Sequence, residues 1–308
     1  MSKPLVSVMM NCYNGDKYLN ESIDSILDQT YSNWELVFWD NCSTDNSAKV
    51  VSGYNDPRIK YFLAPTNTRL GEARRLATEF CLGEYISFLD TDDIYMPENL
   101  ARKVELITRY SADVFYSGSI HVNENGRTKS RHKVKAKCGN VFEDLLNQFD
   151  IDVATVMFKK SIIIEKQINF DGRIHGSEEY DLFTIISVEH RFVVSDEYLA
   201  KVRIRRSSLT NIVMDKWAED RRLTLIKIRD QYPDQVRRYK KAIKEAFARA
   251  DYYQARWLVS VNKRSEALEL LDTVTDINWR YRALYLSLLV SKDLWNLVHR
   301  FLPSYRGT

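Results

Sequence analysis

The first 120 residues alternate between short apolar runs and longer segments with helical periodicity. Between the first two apolar runs, Leu19, Ile23 and Ile26 recur at the three- and four-residue spacing of one helix face. Similar segments flank the fourth run, with the sequences "GEARRLATEFCLG" and "PENLARKVELITRY". The runs themselves predict five strands, at Leu5–Met10, Trp34–Trp39, "RIKYFLA", Tyr85–Leu89 and "DVFYSGSI". Strands that alternate with helices predict a doubly wound α/β domain with a mostly parallel sheet.

Polar clusters follow three of these strands. Asn11–Asn14 come after the first strand and Asp40–Ser43 after the second, while Asp90, Asp92 and Asp93 follow the fourth. Parallel sheets bind ligands beyond the carboxyl ends of their strands. We therefore expect the three clusters to lie together at one edge of the sheet and to form the functional site.

The three carboxylates of the third cluster need a compensating charge, because anions this close repel one another and lose hydration on burial. One interpretation is a divalent metal ion that in turn binds phosphates. Another is a general acid/base pair that acts on a carbonyl or a sugar. A structural alternative is that Asp92 and Asp93 cap the helix expected at Pro97. The residues of this cluster alone leave all three open.

Composition and short motifs exclude several classes of protein. The 308 residues are 44% hydrophobic and 28% charged, which fits a globular protein with one large domain or two domains. The net charge of +3 gives no reason to expect a nucleic-acid partner. We expect no signal peptide and no membrane span, since no apolar run reaches roughly 18 residues. The four cysteines form no C-x-x-C pair, which predicts reduced thiols in a cytoplasmic protein. The chain lacks a P-loop and a Gly-x-Gly-x-x-Gly motif, so neither a P-loop nucleotidase nor a dinucleotide cofactor is expected.

The pattern changes after Ser119. The segment His121–Lys137 holds six Lys or Arg against one Glu and contains the hairpin signal Asn125-Gly126, so we expect a solvated hairpin there. Four of the five histidines show no metal-ligand spacing and are not expected to bind a metal. These are His121, His132, His190 and His299.

Beyond Trp217 the chain becomes strongly helical, with alanine and aromatic residues at the spacing of helix hairpins. The pattern predicts a helical appendage. We therefore expect two domains, a catalytic domain over residues 1–215 and a helical domain over residues 216–308.

Three blocks of sequence, taken together, resemble the inverting glycosyltransferases of family 2. The densest block covers residues 4–110 and includes "LGEYISFLDTDDIYMPENL". The resemblance returns at His175–Phe183, "HGSEEYDLF", and at Val202–Thr210, "VRIRRSSLT". It implies the Rossmann-like GT-A fold, a nucleotide-sugar donor and a Mn²⁺ or Mg²⁺ cofactor.

The resemblance assigns a donor site to the predicted edge of the sheet. Asp90-Thr91-Asp92 matches the Asp-x-Asp motif, which implies that Asp92 ligates the metal ion and that Asp90 lies nearer the ribose. Arg74, in "GEARR", matches an arginine that faces the diphosphate. Asn41 stands where the family usually has an acid, and its amide can both donate and accept, so uracil or thymine fits and a UDP-sugar is favoured. The residues matching the base-binding segments are Asn11, Tyr13, Asp40 and Asn41.

The resemblance also assigns the catalytic base. Glu178-Glu179 stands where the family has Glu-Asp. Inversion at the anomeric carbon needs one base beside the acceptor hydroxyl, opposite the leaving diphosphate. Glu179 takes that position, and Glu178 is the second candidate. We expect Asp181 to cap the following helix and His175 to line the acceptor site.

The family's later Tyr-Arg-x-His motif reads "VRIRR" in this chain, and Arg205 stands at the histidine position. A guanidinium cannot ligate a cation, but it can pair with a diphosphate. The resemblance therefore implies that Arg205 contacts the diphosphate directly. Asp92, phosphate oxygens and water would then complete the metal site.

The acceptor is expected to be a glycan or a lipid-linked glycan in bacterial surface polysaccharide synthesis. Two weaker interactions stay open: peripheral contact with the inner face of the plasma membrane, through the basic hairpin and the C-terminal helices, and a homo-oligomer formed by those helices. The rival functions are a catalytically inactive scaffold and a nucleotidyltransferase. The intact Asp90-Thr91-Asp92 and Arg74 argue against the scaffold, and the missing glycine-rich N-terminal loop argues against the nucleotidyltransferase.

Overall fold

The computed structural model describes residues 3–166, 168–205 and 213–301. The chain divides into two compact units, residues 1–208 and residues 209–308. The sequence-based boundary lies a few residues later, and the assignment of catalysis to the first of the two domains stays a prediction.

The first unit is built on one mixed sheet. Its strand order is β3-β2-β1-β4-β8-β6-β9-β5, with β7 paired to β6. The first four strands are mutually parallel, as the alternation of strands and helices predicts. The strands within the described residues are β1 (Val6–Cys12), β2 (Trp34–Asp40), β3 (Ile59–Leu63), β4 (Tyr85–Phe88), β5 (Ile94–Tyr95), β6 (Val114–Val122), β7 (Thr128–His132), β8 (Met157–Lys159) and β9 (Phe192–Arg203).

Helices cover both faces of this sheet. On one face, Val6, Val8 and Met10 of β1 belong to a core shared with α1 and α4; on the other, Met9 belongs to a core shared with α3 and α7. Successive residues of a strand point to opposite faces, and nearly every residue of β1 and β2 is buried because both faces are covered. The helices described in this unit are α1 (Asp16–Leu27), α2 (Ser47–Ser52), α3 (Leu70–Thr78), α4 (Asn99–Tyr110), α5 (Phe142–Asn147), α6 (Ser161–Lys166) and α7 (Glu178–Ile186).

The short strand β8 separates the parallel half of the sheet from β6. It pairs antiparallel with β4 through Tyr85 and Lys159, and antiparallel with β6 through Val114 and Phe158. Strand β9 then adds parallel to β6. The sheet is thus an α/β sheet of the GT-A type, mostly parallel at one end and mixed at the other.

The second unit is helical, as the sequence predicts. Its core holds interlocking aromatic and aliphatic side chains, among them Tyr252, Tyr281, Leu284 and Trp295. Within the described part of the chain, none of the helices combines the length and apolar composition that a membrane crossing requires. The helices described in this unit are α8 (Trp217–Gln231), α9 (Pro233–Arg238), α10 (Lys240–Ser260), α11 (Arg264–Asp272), α12 (Trp279–Val290) and α13 (Lys292–Phe301).

Candidate functional site

The carboxyl ends of β1, β2 and β4 meet at one edge of the sheet. Cys12 lies opposite Asp40 in the β1–β2 pair, and Met9 lies opposite Phe88 in the β1–β4 pair. The ladder continues one step beyond β2, because the backbone N–H of Asn41 donates to the carbonyl of Cys12 at 2.8 Å. The expectation that the three polar clusters share one edge is therefore confirmed.

The loop after β1 packs closely against the Asp-x-Asp loop. A Cβ atom on Gly15 would lie 2.6 Å from the Thr91 hydroxyl oxygen, so only glycine fits without displacing Thr91. The preceding Asn14 adopts the left-handed conformation with φ of 53°, and its side-chain oxygen accepts the backbone N–H of Thr44 at 2.7 Å. These contacts join the loops after β1, β2 and β4 into one wall.

Arg74, on α3, gathers three carboxylates around one buried guanidinium. Its Nη1 lies 2.5 Å from Glu179 Oε1 and 3.4 Å from Glu178 Oε1, and its Nη2 lies 3.2 Å from Asp90 Oδ1. Burial by itself would lower the pKa of Arg74, but the charges of Glu179, Asp90 and Glu178 outweigh it and raise the pKa further. One arginine thereby holds the acid pair of α7 beside the Asp-x-Asp motif.

The two members of the acid pair have different surroundings. The Glu178 side chain is 3% exposed, whereas the Glu179 side chain is 23% exposed. Burial, reinforced by the charge of Glu179 and only partly offset by Arg74, raises the pKa of Glu178 to about 8. Glu178 Oε2 is buried and has no hydrogen-bond partner among the described residues. The raised pKa favours the uncharged form of Glu178, and Glu179 is the member of the pair that a ligand can reach.

The second acid of the Asp-x-Asp motif pairs with a different arginine. Arg205 Nε lies 2.7 Å from Asp92 Oδ2, so the residue expected to meet the diphosphate contacts the expected metal ligand. The neighbouring Asp93 is buried and accepts the backbone N–H of Arg203 at 2.9 Å. Burial raises the pKa of Asp93, and the charges of Asp92 and Asp90 raise it further. The cation of Arg205 and the backbone donor of Arg203 thus offset two of the three crowded carboxylates.

Both capping expectations are wrong. Helix α7 begins at Glu178 with Ser177 at the N-cap position, so Asp181 lies inside the helix. Asp92 and Asp93 do not cap α4 either, because β5 intervenes and Glu98 occupies that N-cap. The capping alternative for the carboxylate cluster is thereby excluded.

The expected base-binding residues after β2 are bonded within the protein. Asp40 accepts the backbone N–H of Ser43 and the hydroxyl of Tyr61, each at 2.7 Å. The side-chain nitrogen of Asn41 donates to the Thr68 carbonyl at 2.7 Å, and its oxygen accepts from the Thr68 backbone and hydroxyl. Direct recognition of a base edge by Asn41 would require this amide to leave Thr68, and the contact stays a prediction.

Two expected donor-site residues on β1 and its loop are free for a ligand. The ring of Tyr13 is 57% exposed and can stack on a planar group. The side-chain nitrogen of Asn11 is buried and, within the described ranges, has no acceptor. Because a buried donor without a partner is costly, a bound ligand is a natural source of its acceptor.

The residues at this edge fit the implied metal cofactor. Mg²⁺ and Mn²⁺ prefer oxygen ligands and are commonly held by one or two carboxylates together with substrate phosphates. Asp92, with Asp90 beside it, offers that donor set. The guanidinium of Arg205 lies against Oδ2 of Asp92, so an ion on that oxygen would compete with it.

The structure also brings together a group that the sequence did not suggest. His121 and His132 both contact Asp152, so the expectation that these histidines form no metal-type cluster is wrong. The Asn125-Gly126 signal could have placed the two histidines diagonally across one hairpin face. No local signal marks Asp152, because it approaches from another segment of the fold.

Comparison with known proteins agrees with this geometry. Residues 7–165 match the Glycosyl transferase family 2. The chain is 26% identical over 215 residues to the Escherichia coli UDP-Glc:alpha-D-GlcNAc-diphosphoundecaprenol beta-1,3-glucosyltransferase WfgD, covering 68% of this chain and 81% of that protein.

Two solved structures share the fold. One is S. aureus TarS 1-349 in complex with UDP-GlcNAc, with a TM-score of 0.73, 20% identity and coverage of 96% of this chain and 90% of TarS 1-349. The other is the mannosyltransferase PcManGT from Pyrobaculum calidifontis in complex with GDP-Man and Mn²⁺, with a TM-score of 0.63, 16% identity and coverage of 99% and 86%. Because the family match spans more than half of the chain, the protein belongs to glycosyl transferase family 2.

Proposed function

We propose that the protein transfers a sugar, with inversion, from a nucleotide-diphosphate donor to a hydroxyl group of a glycan or lipid-linked glycan, in bacterial surface polysaccharide synthesis. The observation that carries the proposal is the contact of Arg74 with Asp90, Glu178 and Glu179, which sets the donor motif beside the acid pair. A UDP-sugar is the favoured donor. The UDP-Glc named for the E. coli relative and the UDP-GlcNAc bound to TarS support it.

In this proposal Glu179 is the catalytic base. Its carboxylate accepts the proton of the acceptor hydroxyl while the oxygen forms a bond to the anomeric carbon. The bond between that carbon and the diphosphate oxygen breaks on the opposite side, and the nucleoside diphosphate leaves with both electrons. Arg74 holds Glu179 in place through the 2.5 Å contact, and burial raises the pKa of Glu178, which favours its uncharged form.

The donor is held by the edge of the sheet. The wall for the base is formed by Asn11, Tyr13, Asp40 and Asn41. Asp90 and Thr91 lie toward the ribose, and Arg205 pairs with the diphosphate. Asp92 would hold Mn²⁺ or Mg²⁺, which when bound neutralises the charge that develops on the leaving diphosphate. The Mn²⁺ in the PcManGT structure supports this assignment.

Donor hydrolysis tests the proposal without a known acceptor. The full chain is incubated with a panel of nucleotide sugars and Mn²⁺, and nucleoside diphosphate release is measured. We expect slow hydrolysis of one donor, fastest for a UDP-sugar, and the anomeric configuration of the released sugar reports inversion. Donor binding without release in the presence of candidate acceptors would favour the inactive scaffold. Conversion of a nucleotide sugar and added pyrophosphate to nucleoside triphosphate and sugar 1-phosphate would favour a nucleotidyltransferase.

We further propose that the protein works in the cytoplasm, with weak peripheral contact at the inner face of the plasma membrane. The basic hairpin His121–Lys137 carries six Lys and Arg side chains, most of them exposed to solvent. The second unit exposes large apolar side chains that suit either a bilayer surface or a homo-oligomer contact. These are Trp279, Leu286, Leu289, Val290, Leu297 and Phe301.

Flotation with anionic vesicles tests the membrane contact, which should be measurable at low salt and fall steeply at high salt. Absence of binding at low salt contradicts the membrane contact.

Sedimentation at several protein concentrations tests the homo-oligomer, and a constant monomer mass contradicts the homo-oligomer.

A further inference from the structure

A second cluster of polar side chains consists of His121, His132 and Asp152, none of which belongs to the expected donor site. The Nε2 atom of His121 is 3.1 Å from Oδ2 of Asp152, and the Nδ1 atom of His132 is 2.9 Å from the same oxygen. One donor atom from each of the three side chains lies within 4.8 Å of the other two. All three side chains are partly accessible, with exposed fractions of 14%, 15% and 17%.

The hairpin register places the two histidines together. Strands β6 and β7 are antiparallel, with Ser119 opposite His132 and His121 opposite Ser130. His121 and His132 are thus diagonal neighbours on one face of the hairpin, and their ring centroids are 5.5 Å apart. Asp152 enters from the segment that precedes β8.

We propose that His121, His132 and Asp152 bind a divalent transition-metal ion, with Zn²⁺ as the expected ion. Two imidazole nitrogens and one carboxylate oxygen form a ligand set that Zn²⁺ favours. The set differs in kind from the all-oxygen site at Asp92, which suits Mn²⁺ or Mg²⁺. Three protein ligands leave a fourth tetrahedral position for water, and the partial exposure of the cluster allows the water to enter.

The two histidine–aspartate distances fit this coordination. Ligand atoms around a tetrahedral Zn²⁺ lie about 3.3 Å apart, given metal–ligand bonds of about 2.0–2.1 Å. The two nitrogen–oxygen distances of 3.1 and 2.9 Å need to open by only a few tenths of an ångström. The ion would replace the protons that now lie between the rings and the carboxylate.

Surrounding contacts already hold both the carboxylate and the backbone of Asp152. The hydroxyl of Ser119 donates to Asp152 Oδ2. The carbonyl of Asp152 accepts the backbone N–H and the hydroxyl of Thr155, at 2.8 and 2.7 Å. Such outer contacts are characteristic of metal sites, because they fix the direction of a ligand before the ion arrives. A bound ion would therefore tie the hairpin β6–β7 to the segment before β8. This inference does not depend on the proposed transferase activity.

Titration of the full chain with Zn²⁺ alone, after chelator treatment and without nucleotide, tests the proposal. We expect one tight equivalent of Zn²⁺ by calorimetry and a rise in thermal midpoint on binding. His121→Ala and His132→Ala should each weaken this equivalent by at least ~10²-fold. Co²⁺ should give the intense visible bands of tetrahedral coordination without thiolate charge transfer, which excludes the exposed Cys138 as a ligand.

Two control variants distinguish this cluster from the donor-metal site and from a histidine elsewhere in the fold. Asp92→Ala should keep the tight equivalent, since it alters only the donor-metal site. His190→Ala should also keep it, because His190 pairs with Asp113. If an alanine variant unfolds, His132→Asn provides a replacement that can keep a hydrogen bond to Asp152. Failure of the wild-type chain to bind Zn²⁺ below millimolar concentration overturns the proposal, as does undiminished binding by folded His121 and His132 variants.

Discussion

Replacement of Arg74 by methionine removes the cation that three carboxylates share and keeps most of the side-chain volume. The Arg74 side chain is 1% exposed, so solvent does not supply an alternative counter-charge at its position. The change leaves Asp90 and Glu179 facing one another and the buried Glu178 without a cationic partner. We expect the first unit to lose stability.

The size of the loss follows from the exposure of the partners. Breaking a buried ion pair from one side costs about 3–5 kcal/mol, because the remaining charge stays buried. Asp90 and Glu179 are 38% and 23% exposed and regain some hydration, while the raised pKa of Glu178 favours its uncharged form. The low end of this range therefore applies, and we expect the free energy of unfolding to fall by about 3 kcal/mol. For a unit of this size that corresponds to a fall in thermal midpoint of roughly 6–12 °C.

Differential scanning calorimetry of the metal-free chain measures this fall. The matched control is Arg75→Met on the same helix, because Arg75 pairs with Glu72 at the surface and its removal should cost less than about 0.5 kcal/mol. Adding Glu179→Gln to Arg74→Met should recover part of the loss, since it removes one of the uncompensated charges. Equal midpoints for the Arg74 and Arg75 variants would refute the assignment of Arg74 as the shared counter-charge.

Three further predictions concern the donor and the base. Asp92→Ala should abolish Mn²⁺-dependent binding of UDP in calorimetry while the fold stays intact. Arg205→Ala should tighten the binding of Mn²⁺ alone, because a competing cation is gone. Unchanged binding in both variants contradicts the metal assignment. Glu179→Gln should keep donor affinity and lose about 10²-fold or more in transfer rate; if Glu178→Gln shows that loss instead, the other neighbour is the base. Glu178 faces Arg74, Glu179 and Asp90, and its pKa is raised from 4.5 to about 8. The contribution of this group to the free energy of unfolding is therefore complete below about pH 4.5 and is lost as pH rises through about 8. Wild-type stability should therefore fall across that range, by up to about 1.4 kcal/mol per pH unit, and Glu178→Gln should flatten the fall; parallel curves for the two proteins would contradict the raised pKa.

Local patterns in the sequence predict most of the first unit's elements. Leu19, Ile23 and Ile26 are buried on one face of α1, as their spacing indicates. The polar clusters after β1, β2 and β4 share an edge because parallel strands with helical crossovers allow few other arrangements. Such features depend on periodicity and chain connectivity, which a single sequence carries.

Features that depend on distant pairing are not visible in the same way. Strand β8 has three residues, and its insertion between β4 and β6 is decided by tertiary contacts rather than by its own pattern. The meeting of His121 and His132 with Asp152 likewise needs both the hairpin register and the path of a separate segment. The resemblance to a known family placed Arg205 near the diphosphate, but its contact with Asp92 emerges only from the folded chain.

The pairing of Arg205 with Asp92 has a consequence for how the donor site fills. While the guanidinium lies on Asp92, it offsets the charge of that carboxylate, so a cation that arrives alone gains less and competes with Arg205 for Oδ2. A nucleotide diphosphate changes the balance, because its phosphates offer Arg205 another anionic partner and leave Asp92 free for the ion. Cation and donor should therefore raise each other's affinity by the same factor, as thermodynamic linkage requires. A histidine can ligate a cation and an arginine cannot, so under the proposed function we predict that Arg205 makes metal binding depend on the donor.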